Sequence, residues 1–537
     1  MSEIDKARPL TGEKVVDDII VNEVIDVVPT PLHDDVSIWK YITLNRRAFG
    51  FSVYILMLMV GYGFDGLLTG SLVGVPSFKR HFGYYDAKSQ VWVISALWQS
   101  LWTAMTSLMM VFGALTTGVL HPRFGTKILI LVAMCFNAAG IITEQLSKTP
   151  ADFLGAKIIA GFGFGIMTST AIMTLPSYAP WRLRGPLGAA LNTFILFGGW
   201  TAQGVLTGTG QAYPESTKAY QIPFALQYIW VIVPLCGVYW VPESASWHLR
   251  RGDETKARES LIRLHGPSRM AIVEAEWKQI MIAHRLEKTG NHQTKIAITE
   301  PFKGINLRRT LLASGLLGFQ QLVGATFVTS YLTYFYQVAG TPDNLSLSLG
   351  EMSFTVQVLG NLFSWFAIDK LGRRYCLVGG LASMTLTLLI IGITWAIRSS
   401  ASLWCMVAFM TVWAFLYQAS IGACGFSLAA EAPGPRLRSL TIGIAQGVAQ
   451  VCAWAMGFAT PYMINPDEGN LGGYVGFVFA GICGAATVWS FFAVPETKGR
   501  TLAEMEVMWE TQVPPRLWKR HEVNSTAAQL STIPTLV

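Results

Sequence analysis

The segment 241–309 decides how this chain is divided. It opens with VPES at 241–244 and is the longest interior segment too polar to lie in a bilayer. Long apolar blocks lie on both sides, and the second group of blocks ends with VPET at 494–497, nearly a copy of the opening. The pattern predicts two similar halves joined by a polar connector. Apolar residues at helical spacing near 253–265 and 270–286 predict two helices within that connector.

The composition indicates a membrane protein. Of 537 residues, 52% are hydrophobic and 14% are charged, well below the roughly 25% charged residues of an average soluble domain. A helix that crosses a bilayer needs about 20 mostly apolar residues. Blocks of about this length occur at 49–72, 91–120, 128–145, 153–175, 187–209, 222–240, 311–338, 352–368, 376–397, 404–430, 442–464 and 475–494. We therefore predict an all-α membrane protein with twelve transmembrane helices in two six-helix bundles.

These blocks divide the chain into five parts. We expect an N-terminal tail at 1–48, a first bundle at 49–242, the connector at 243–308, a second bundle at 309–494 and a C-terminal tail at 495–537. Lys and Arg concentrate in the loops on the connector's side of the predicted bilayer, which places both tails in the cytoplasm by the positive-inside rule. The net charge of +7 follows from the same bias, so it predicts no nucleic-acid partner.

Other kinds of site have little support in the sequence. The seven cysteines share no CxxC spacing, so we expect packing residues, with no metal site and no cofactor. No set of nucleophile and base and no cluster of metal ligands indicates an enzyme. Asn344 begins an Asn-x-Ser sequon in the predicted exterior loop between the seventh and eighth spans, which makes it a candidate glycosylation site.

Short elements recur at matching places in the two halves. RFGTK at 123–127 matches DKLGRR at 369–374, and APWRLRG at 179–185 matches APGPRLR at 432–438. Such loops also serve topology and tight turns alone. Together with the recurring Pro-Glu elements they favour a network of charges that pair in one conformational state and part in the other. The members of this predicted gating network are Arg123, Arg184, Glu243, Arg250, Asp369, Arg373, Arg374, Glu431, Arg438 and Glu496.

These motifs carry a family resemblance. PES at 242–244, QQLVG at 320–324 and PETKGRT at 495–501 resemble the sugar porter branch of the major facilitator superfamily. Within it, GYGFD at 61–65 and NLFSWF at 361–366 are similar to the fungal maltose and general α-glucoside permeases. The resemblance implies proton-driven import of an α-glucoside across the plasma membrane, by alternating access of two bundles around a midplane site. We expect a monomer that binds a small sugar, a proton and the lipid bilayer.

Two charged residues within apolar spans are candidates for proton coupling. Asp65 lies in the first span among glycines, and a charge at that depth is by default a functional hypothesis. Lys157 in the fourth span stands where many sugar porters have an arginine, so the resemblance makes it the partner of Asp65. Two structural alternatives remain open: Asp65 is permanently paired at a helix end, or Lys157 extends to the membrane interface.

Amide and aromatic side chains are the candidates for sugar binding. Each sugar hydroxyl that loses water needs a new hydrogen-bond partner, and aromatic faces stack on sugar rings. The resemblance places Gln320 and Gln321 at the family's sugar-binding amides. Weaker candidates, each of which packing alone would also explain, are Gln203, Thr326, Tyr331, Tyr334, Asn361, Trp365, Trp413, Tyr417, Gln418 and Trp454.

The chain departs from the family pattern at several positions. Ser177 and Pro122 stand where acidic residues are expected, Gly199 replaces an amide, and Thr326 replaces an asparagine. The lost amides motivate a second hypothesis, in which the same fold moves a non-sugar polyol or a secondary metabolite, with export as one direction. A third hypothesis is a sugar sensor that binds without transporting. We also expect the connector to latch the two halves when the inner gate is shut.

Overall fold

A computed structural model describes residues 37–86, 91–180, 183–289, 299–330, 332–338, 341–397, 399–434, 437–464, 468–498, 500, 505 and 508–518. This part of the chain is helical apart from loops and one antiparallel hairpin. The hairpin pairs β1 (Tyr84–Asp86) with β2 (Val91–Val93). No cis peptide bond occurs among the described residues.

The first half begins with a short helix and continues through six membrane-crossing stretches. One stretch, Ala96–Leu146, is interrupted by the left-handed Gly125 and contains two spans, α4 and α5. The helices are α1 (Ile38–Leu44), α2 (Arg46–Leu72), α3 (Pro76–Phe82), α4 (Ala96–Gly118), α5 (Arg123–Leu146), α6 (Pro150–Tyr178), α7 (Arg184–Ala212), α8 (Lys218–Leu226) and α9 (Ile229–Gly237).

The connector and the second half are also built from helices. The connector contains α10 (Ala245–Arg250), α11 (Glu254–His265) and α12 (Met270–Thr289). The second half contains α13 (Gly304–Leu322), α14 (Ala325–Ser330), α15 (Leu332–Val338), α16 (Asp343–Leu371), α17 (Arg373–Ile397), α18 (Ser400–Tyr417), α19 (Ala423–Glu431), α20 (Arg438–Ile464) and α21 (Val475–Ala493). Single 3₁₀ turns lie at Pro267–Arg269, Glu300–Phe302, Gly472–Tyr474 and Pro515–Leu517.

Ten stretches in the described part are long and apolar enough to cross a membrane by length and composition. The other two predicted spans correspond to α7 and α16, which have 29 residues each and are therefore about 43 Å long. Both helices carry polar side chains, and the two pack against each other. Six spans precede the connector and six follow it.

Several predicted span boundaries were wrong. The second span does not begin at 91, because 91–93 pairs with 84–86, and its helix starts at Ala96 after the capping hydroxyl of Ser95. The eighth span starts nine residues before the predicted residue 352, so Asn344 lies exposed in the first turn of α16 and not in a loop.

Two predicted continuous spans are interrupted. The seventh is broken at Gly324, whose φ of 105° ends the helical geometry between α13 and α14. The tenth contains a π-turn at Gln418–Gly422 between α18 and α19. A π-turn displaces backbone carbonyls from their usual partners, and such turns are frequent at functional sites.

The halves meet along helix pairs. α7 packs on α16, α4 on α20, and α2 on α14 and α15. We call the end of the molecule with α10–α12 the connector end, and the other the opposite end. Hydrogen bonds join the halves at the opposite end, where Lys79 Nζ donates to Gln337 Oε1 at 2.6 Å and Gln337 Nε2 donates to Gly74 O at 2.7 Å. Ser100 Oγ likewise donates to Phe458 O at 2.8 Å. The opposite end is therefore closed.

Candidate functional site

A buried group of three charges lies in the first half. Lys157 on α6 is fully buried, and its Nζ lies 2.7 Å from Asp65 Oδ1 on α2. The same Nζ lies 2.5 Å from Glu144 Oε1 on α5, a carboxylate that is equally buried. Gln227, between α8 and α9, donates to the other Glu144 oxygen at 2.9 Å. We call Asp65, Glu144 and Lys157 the charge triad.

Sequence reasoning brought Asp65 and Lys157 together but missed Glu144. The signal was present, since an acidic residue inside an apolar span is a functional hypothesis wherever it occurs. Glu144 was overlooked because it lies one residue from the predicted span end at 145, where an exposed interfacial acid is expected. Lys157 does not extend to the membrane interface, because its ammonium stays in the interior with two carboxylates. The pairing of Asp65 with Lys157 fits both a permanent ion pair and a pair that takes part in proton coupling.

An aromatic cluster lies between the charge triad and the opposite end. The ring of Phe153 lies 5.1 Å from Lys157 Nζ, a distance suited to a cation–π contact. Phe153 also contacts Phe78 and Phe82 on α3 and Trp102 on α4, with ring centroids 5.0–5.8 Å apart. Because α3 carries two of these rings, the position of this short helix decides how well the triad is shielded.

A group of amides spans the two halves at mid-depth. Asn192 Nδ2 on α7 donates to Gln418 Oε1 at 2.9 Å, and Thr193 Oγ1 donates to Asn361 Oδ1 on α16 at 2.6 Å. In the second half, Gln320 Nε2 donates to Gly422 O of the π-turn at 3.1 Å, and the Tyr417 hydroxyl donates to Gln320 O at 3.1 Å. In an ordinary α-helix the Gly422 carbonyl would accept a hydrogen bond from a backbone amide of the same helix, whereas in the π-turn it accepts one from a side chain.

Two buried polar atoms in this amide group have no hydrogen-bond partner among the described residues. They are Asn361 Nδ2 and Gln357 Nε2; Trp413 Nε1 beside the group and Gln203 Oε1 where α7 meets α16 also have none. A buried donor or acceptor without a partner costs about 1–3 kcal/mol. Polar atoms of both halves therefore offer donors and acceptors to a polyhydroxyl or amide-bearing molecule.

The predicted sugar-binding residues divide into groups. Gln320, Asn361, Gln418, Trp413 and Tyr417 are buried in or beside the amide group, and Gln203 is buried where α7 meets α16. Gln321 and Thr326 are half-buried, whereas Trp365 and Trp454 are 40% and 36% exposed. Tyr331 lies outside the described residues, as does the side chain of Tyr334. Sequence reasoning missed Asn192, Thr193 and Gln357.

The recurring Pro-Glu elements form matching contacts at the connector end. Glu243 accepts hydrogen bonds from the backbone amides of Thr126 and Lys127 at 2.9 and 2.8 Å. Glu496 accepts from the amides of Arg373 and Arg374 at 3.1 and 3.2 Å. Each carboxylate thus caps the start of a helix, where free N–H groups attract negative charge.

Glycine is required at both of these contacts. Gly125 has φ 82° and Gly372 has φ 95°, in the left-handed region that other residues rarely adopt. A Cβ on Gly372 would also lie 2.5 Å from Glu496 Oε2, and one on Gly125 would lie 3.0 Å from the Glu243 carboxylate. The repeat found in the sequence is therefore a repeated carboxylate–amide contact.

The other predicted gating residues lie around these contacts. Arg373 Nη2 lies 3.7 Å from Glu431 Oε1, and the hydroxyl of Thr497 donates to Glu431 Oε2 at 2.7 Å. Arg123 and Arg250 are exposed at the connector end. The side chains of Arg184, Asp369 and Arg438 are outside the described part. Burial lowers the pKa of His121 below its usual value, which favours a neutral ring beside Glu243.

The connector packs against the first half. Ala257, Leu261 and Val273 form a small core between α11 and α12, as the helical spacing predicted. Arg269 Nη1 donates to Asn45 Oδ1 at 3.0 Å, which joins the connector to the start of α2. Ser260 Oγ donates to the backbone oxygen of Glu243. The described contacts thus anchor the connector to the first bundle.

Comparisons with known proteins agree with this architecture. Residues 51–509 match the family described as "Sugar (and other) transporter". The chain is 28% identical to the MFS transporter fmqE of Aspergillus fumigatus, over 92% of this chain and 93% of that one, and 27% identical to the maltose permease MAL61 of Saccharomyces cerevisiae, over 90% and 79%. A solved structure of the proton:xylose symporter XylE aligns with a TM-score of 0.68 at 20% identity, covering 87% of this chain and all of that one.

The family assignment confirms the predicted fold class. The fold is that of the major facilitator superfamily, with twelve membrane-crossing helices in two six-helix bundles, and the chain is a multi-pass membrane protein. The charge triad lies within the first bundle, and the amide group lies where the bundles meet. This chain belongs to the sugar transporter family.

Proposed function

We propose that the protein imports an α-glucoside or a related sugar together with a proton. The observation that carries the proton coupling is the composition of the charge triad. Two carboxylates share one ammonium in the interior, so the group is neutral only when one carboxyl is protonated. Burying net charge is expensive, and proton binding removes that cost.

Asp65 is the carboxyl that we assign to proton exchange. Protonation of Asp65 weakens its hold on Lys157, and Glu144 remains as the counter-ion of the ammonium. Without Glu144, protonated Asp65 would leave a buried cation unpaired, at a cost of about 3–5 kcal/mol. Glu144 itself is held by Gln227, so it acts as the fixed member of the triad.

The substrate site in this proposal is the amide group between the bundles. Amide donors and acceptors replace the water that sugar hydroxyls lose, and the buried ring of Trp413, stacked on Tyr417, lies nearby. Tyr62, one turn before Asp65 on α2, lies close to Gln450 on α20. α2 therefore connects the charge triad with the contact between the bundles, and a change at Asp65 can alter that contact.

The orientation follows from the charge distribution in the loops. We place both tails and the connector in the cytoplasm and the opposite end outside the cell, in the plasma membrane. With the opposite end closed by the Lys79–Gln337 contact, the described conformation is one that excludes the external side. Import then requires the bundles to rock until this contact opens.

The experiment is uptake of labelled maltose in a yeast strain that lacks its own transporters. We expect uptake that rises at acid external pH and falls with a protonophore. Asp65→Asn should abolish accumulation against a gradient but retain exchange of labelled for unlabelled sugar. Glu215→Gln removes an exposed carboxylate at the opposite end and should change neither accumulation nor exchange of the sugar. Accumulation by Asp65→Asn that resists the protonophore would refute proton coupling.

A second candidate keeps the fold but changes the cargo to a non-sugar polyol or a secondary metabolite. The observation that favours it lies at Gly199, where the family has an amide. A Cβ at Gly199 would lie 1.5 Å from Leu67 Cδ1, so Leu67 occupies the space of an amide side chain. Competition against maltose uptake by a panel of sugars and polyols separates the candidates. Binding of maltose without any uptake would instead indicate a sensor.

A further inference from the structure

One carboxyl outside the charge triad lies where the two bundles meet. Glu351 is in the third turn of α16, and it faces α7: a Cβ at Gly204 would lie 3.4 Å from Glu351 Oε2. One turn further along, Trp200 Nε1 of α7 donates to Thr355 Oγ1 of α16 at 3.0 Å. Towards the opposite end, Thr207 Oγ1 donates to Leu347 O at 3.2 Å. We call this contact of α7 with α16 the seam.

No cation lies near Glu351 on the helices of the seam. The sequence of α7 has no ionisable residue after Arg184, and α16 has none between Asp343 and Asp369 except Glu351. The ionisable residues of the other elements packed on α16 are Tyr334 and Tyr336 on α15, Arg373, Arg374, Tyr375 and Cys376 on α17, Cys405 and Tyr417 on α18, and Cys424 and Glu431 on α19. The arginines lie at the connector end, about 30 Å along the helix from Glu351.

The surroundings of Glu351 suit a neutral carboxyl. Glu351 is half-buried, but its Oε2 is fully buried and has no hydrogen-bond partner among the described residues, and Glu351 forms no ion pair within them. An ionised carboxylate here would lose the hydration of its buried oxygen without gaining a counter-charge, which is unfavourable. A protonated carboxyl avoids that cost. Opening of the seam would return the group to water, where it ionises.

We propose that Glu351 is a second proton-binding site, and that the seam closes only over its protonated form. The inference rests on the proposed import cycle, in which the seam opens to the outside. The proton enters from the outside when the seam closes and returns there when it opens. Glu351 therefore makes closure depend on external pH, whereas the proton that travels with the sugar is carried by Asp65.

The test measures how easily the seam opens. Leu347→Cys places a thiol at a position that is fully buried in the closed seam, and a membrane-impermeant thiol reagent is applied to intact cells. The same chain without this cysteine corrects for the native thiols. The thiolate is the form that reacts, so the rate is divided at each pH by the rate of an exposed cysteine with the same reagent. We expect this ratio to rise with external pH, by up to tenfold per unit, since opening releases one proton. Adding Glu351→Gln should make the rate slow at every pH, and Glu351→Asp should retain the pH response.

The outcomes separate this inference from the proposed function. A rate that does not vary with pH in the Leu347→Cys chain, or a pH response that survives Glu351→Gln, overturns the inference. Loss of proton-driven accumulation in Glu351→Gln would also overturn it, because Glu351 would then lie on the path of the transported proton. In a further outcome, Glu351→Gln abolishes the pH response but Asp65→Asn leaves accumulation unaffected. That result supports the inference about Glu351 and rejects only the assignment of Asp65 to proton coupling.

Discussion

Replacing Glu144 with glutamine tests whether the third charge of the triad sets the pH at which transport works. The variant keeps the shape of the side chain and its contact with Gln227 but removes one negative charge. Both carboxylates contact the same ammonium nitrogen, so their oxygens lie within about 5 Å of each other. At an effective dielectric constant near 20, two charges at that distance repel by about 3 kcal/mol.

This repulsion favours binding of a proton by the triad in the unmodified chain, because a proton neutralises its excess negative charge. Without the repulsion from Glu144, the ion pair between Asp65 and Lys157 is stronger, and a higher proton concentration is needed to break it. Since 1.36 kcal/mol corresponds to one pH unit, the external pH for half-maximal uptake should fall by up to about two units. Partial solvent screening would reduce the shift, but its direction is fixed by the sign of the removed charge.

The assay is the rate of labelled sugar uptake between pH 4 and pH 8, corrected for the amount of protein at the cell surface. Gln145→Ala is the matched control, because this neighbouring residue contacts Tyr228 and not the triad. Its pH profile should match that of the unmodified chain. A Glu144→Gln profile that is unshifted, or shifted towards higher pH, would refute the role that we assign to Glu144.

Three further predictions concern the gate, the repeat and the amide group. Lys79→Ala removes the contact with Gln337 and should raise the modification rate of Leu347→Cys about tenfold or more, since a hydrogen bond to a charged group contributes about 1.5–3 kcal/mol; an unchanged rate would contradict this. Gly372→Ala should lower the melting temperature of the purified protein, whereas Gly379→Ala, where a Cβ meets no atom within 4 Å, should not. Asn361→Ala should raise the KM for sugar at least about fivefold, while Leu362→Ala, which alters an exposed side chain on the same helix, should leave KM unchanged.

The sequence predicted those features that depend on local composition. Twelve apolar blocks and the repeated Pro-Glu elements were visible because each is continuous in the chain. Helix interruptions were missed, since Gly324 and the π-turn at Gln418–Gly422 lie within stretches that are apolar enough overall to predict one continuous span each. The start of α16 was missed for the opposite reason, because its first turns carry Asn344 and Glu351 and resemble a loop.

The candidate site was predictable only in part. Asp65 and Lys157 stood out as charges within apolar spans, and the family resemblance singled out Gln320. The pairing of Asn192 with Gln418 joins residues more than 220 positions apart, and no local pattern indicates which face of a helix meets its partner. Amides such as Gln357 are equally compatible with helix packing, so tertiary contacts alone distinguish them.

α3 connects the closed opposite end with the charge triad. Its Lys79 contacts Gln337 of the second half, and its Phe78 and Phe82 contact the ring of Phe153, which covers Lys157. A helix of seven residues cannot move one face without the other. Opening of the gate should therefore loosen the aromatic cover and admit protons to Asp65. If so, Lys79→Ala should speed proton exchange at the triad as well as exposing the seam. A variant in which the seam opens while the pH profile of uptake stays unchanged would show that the two events are separate.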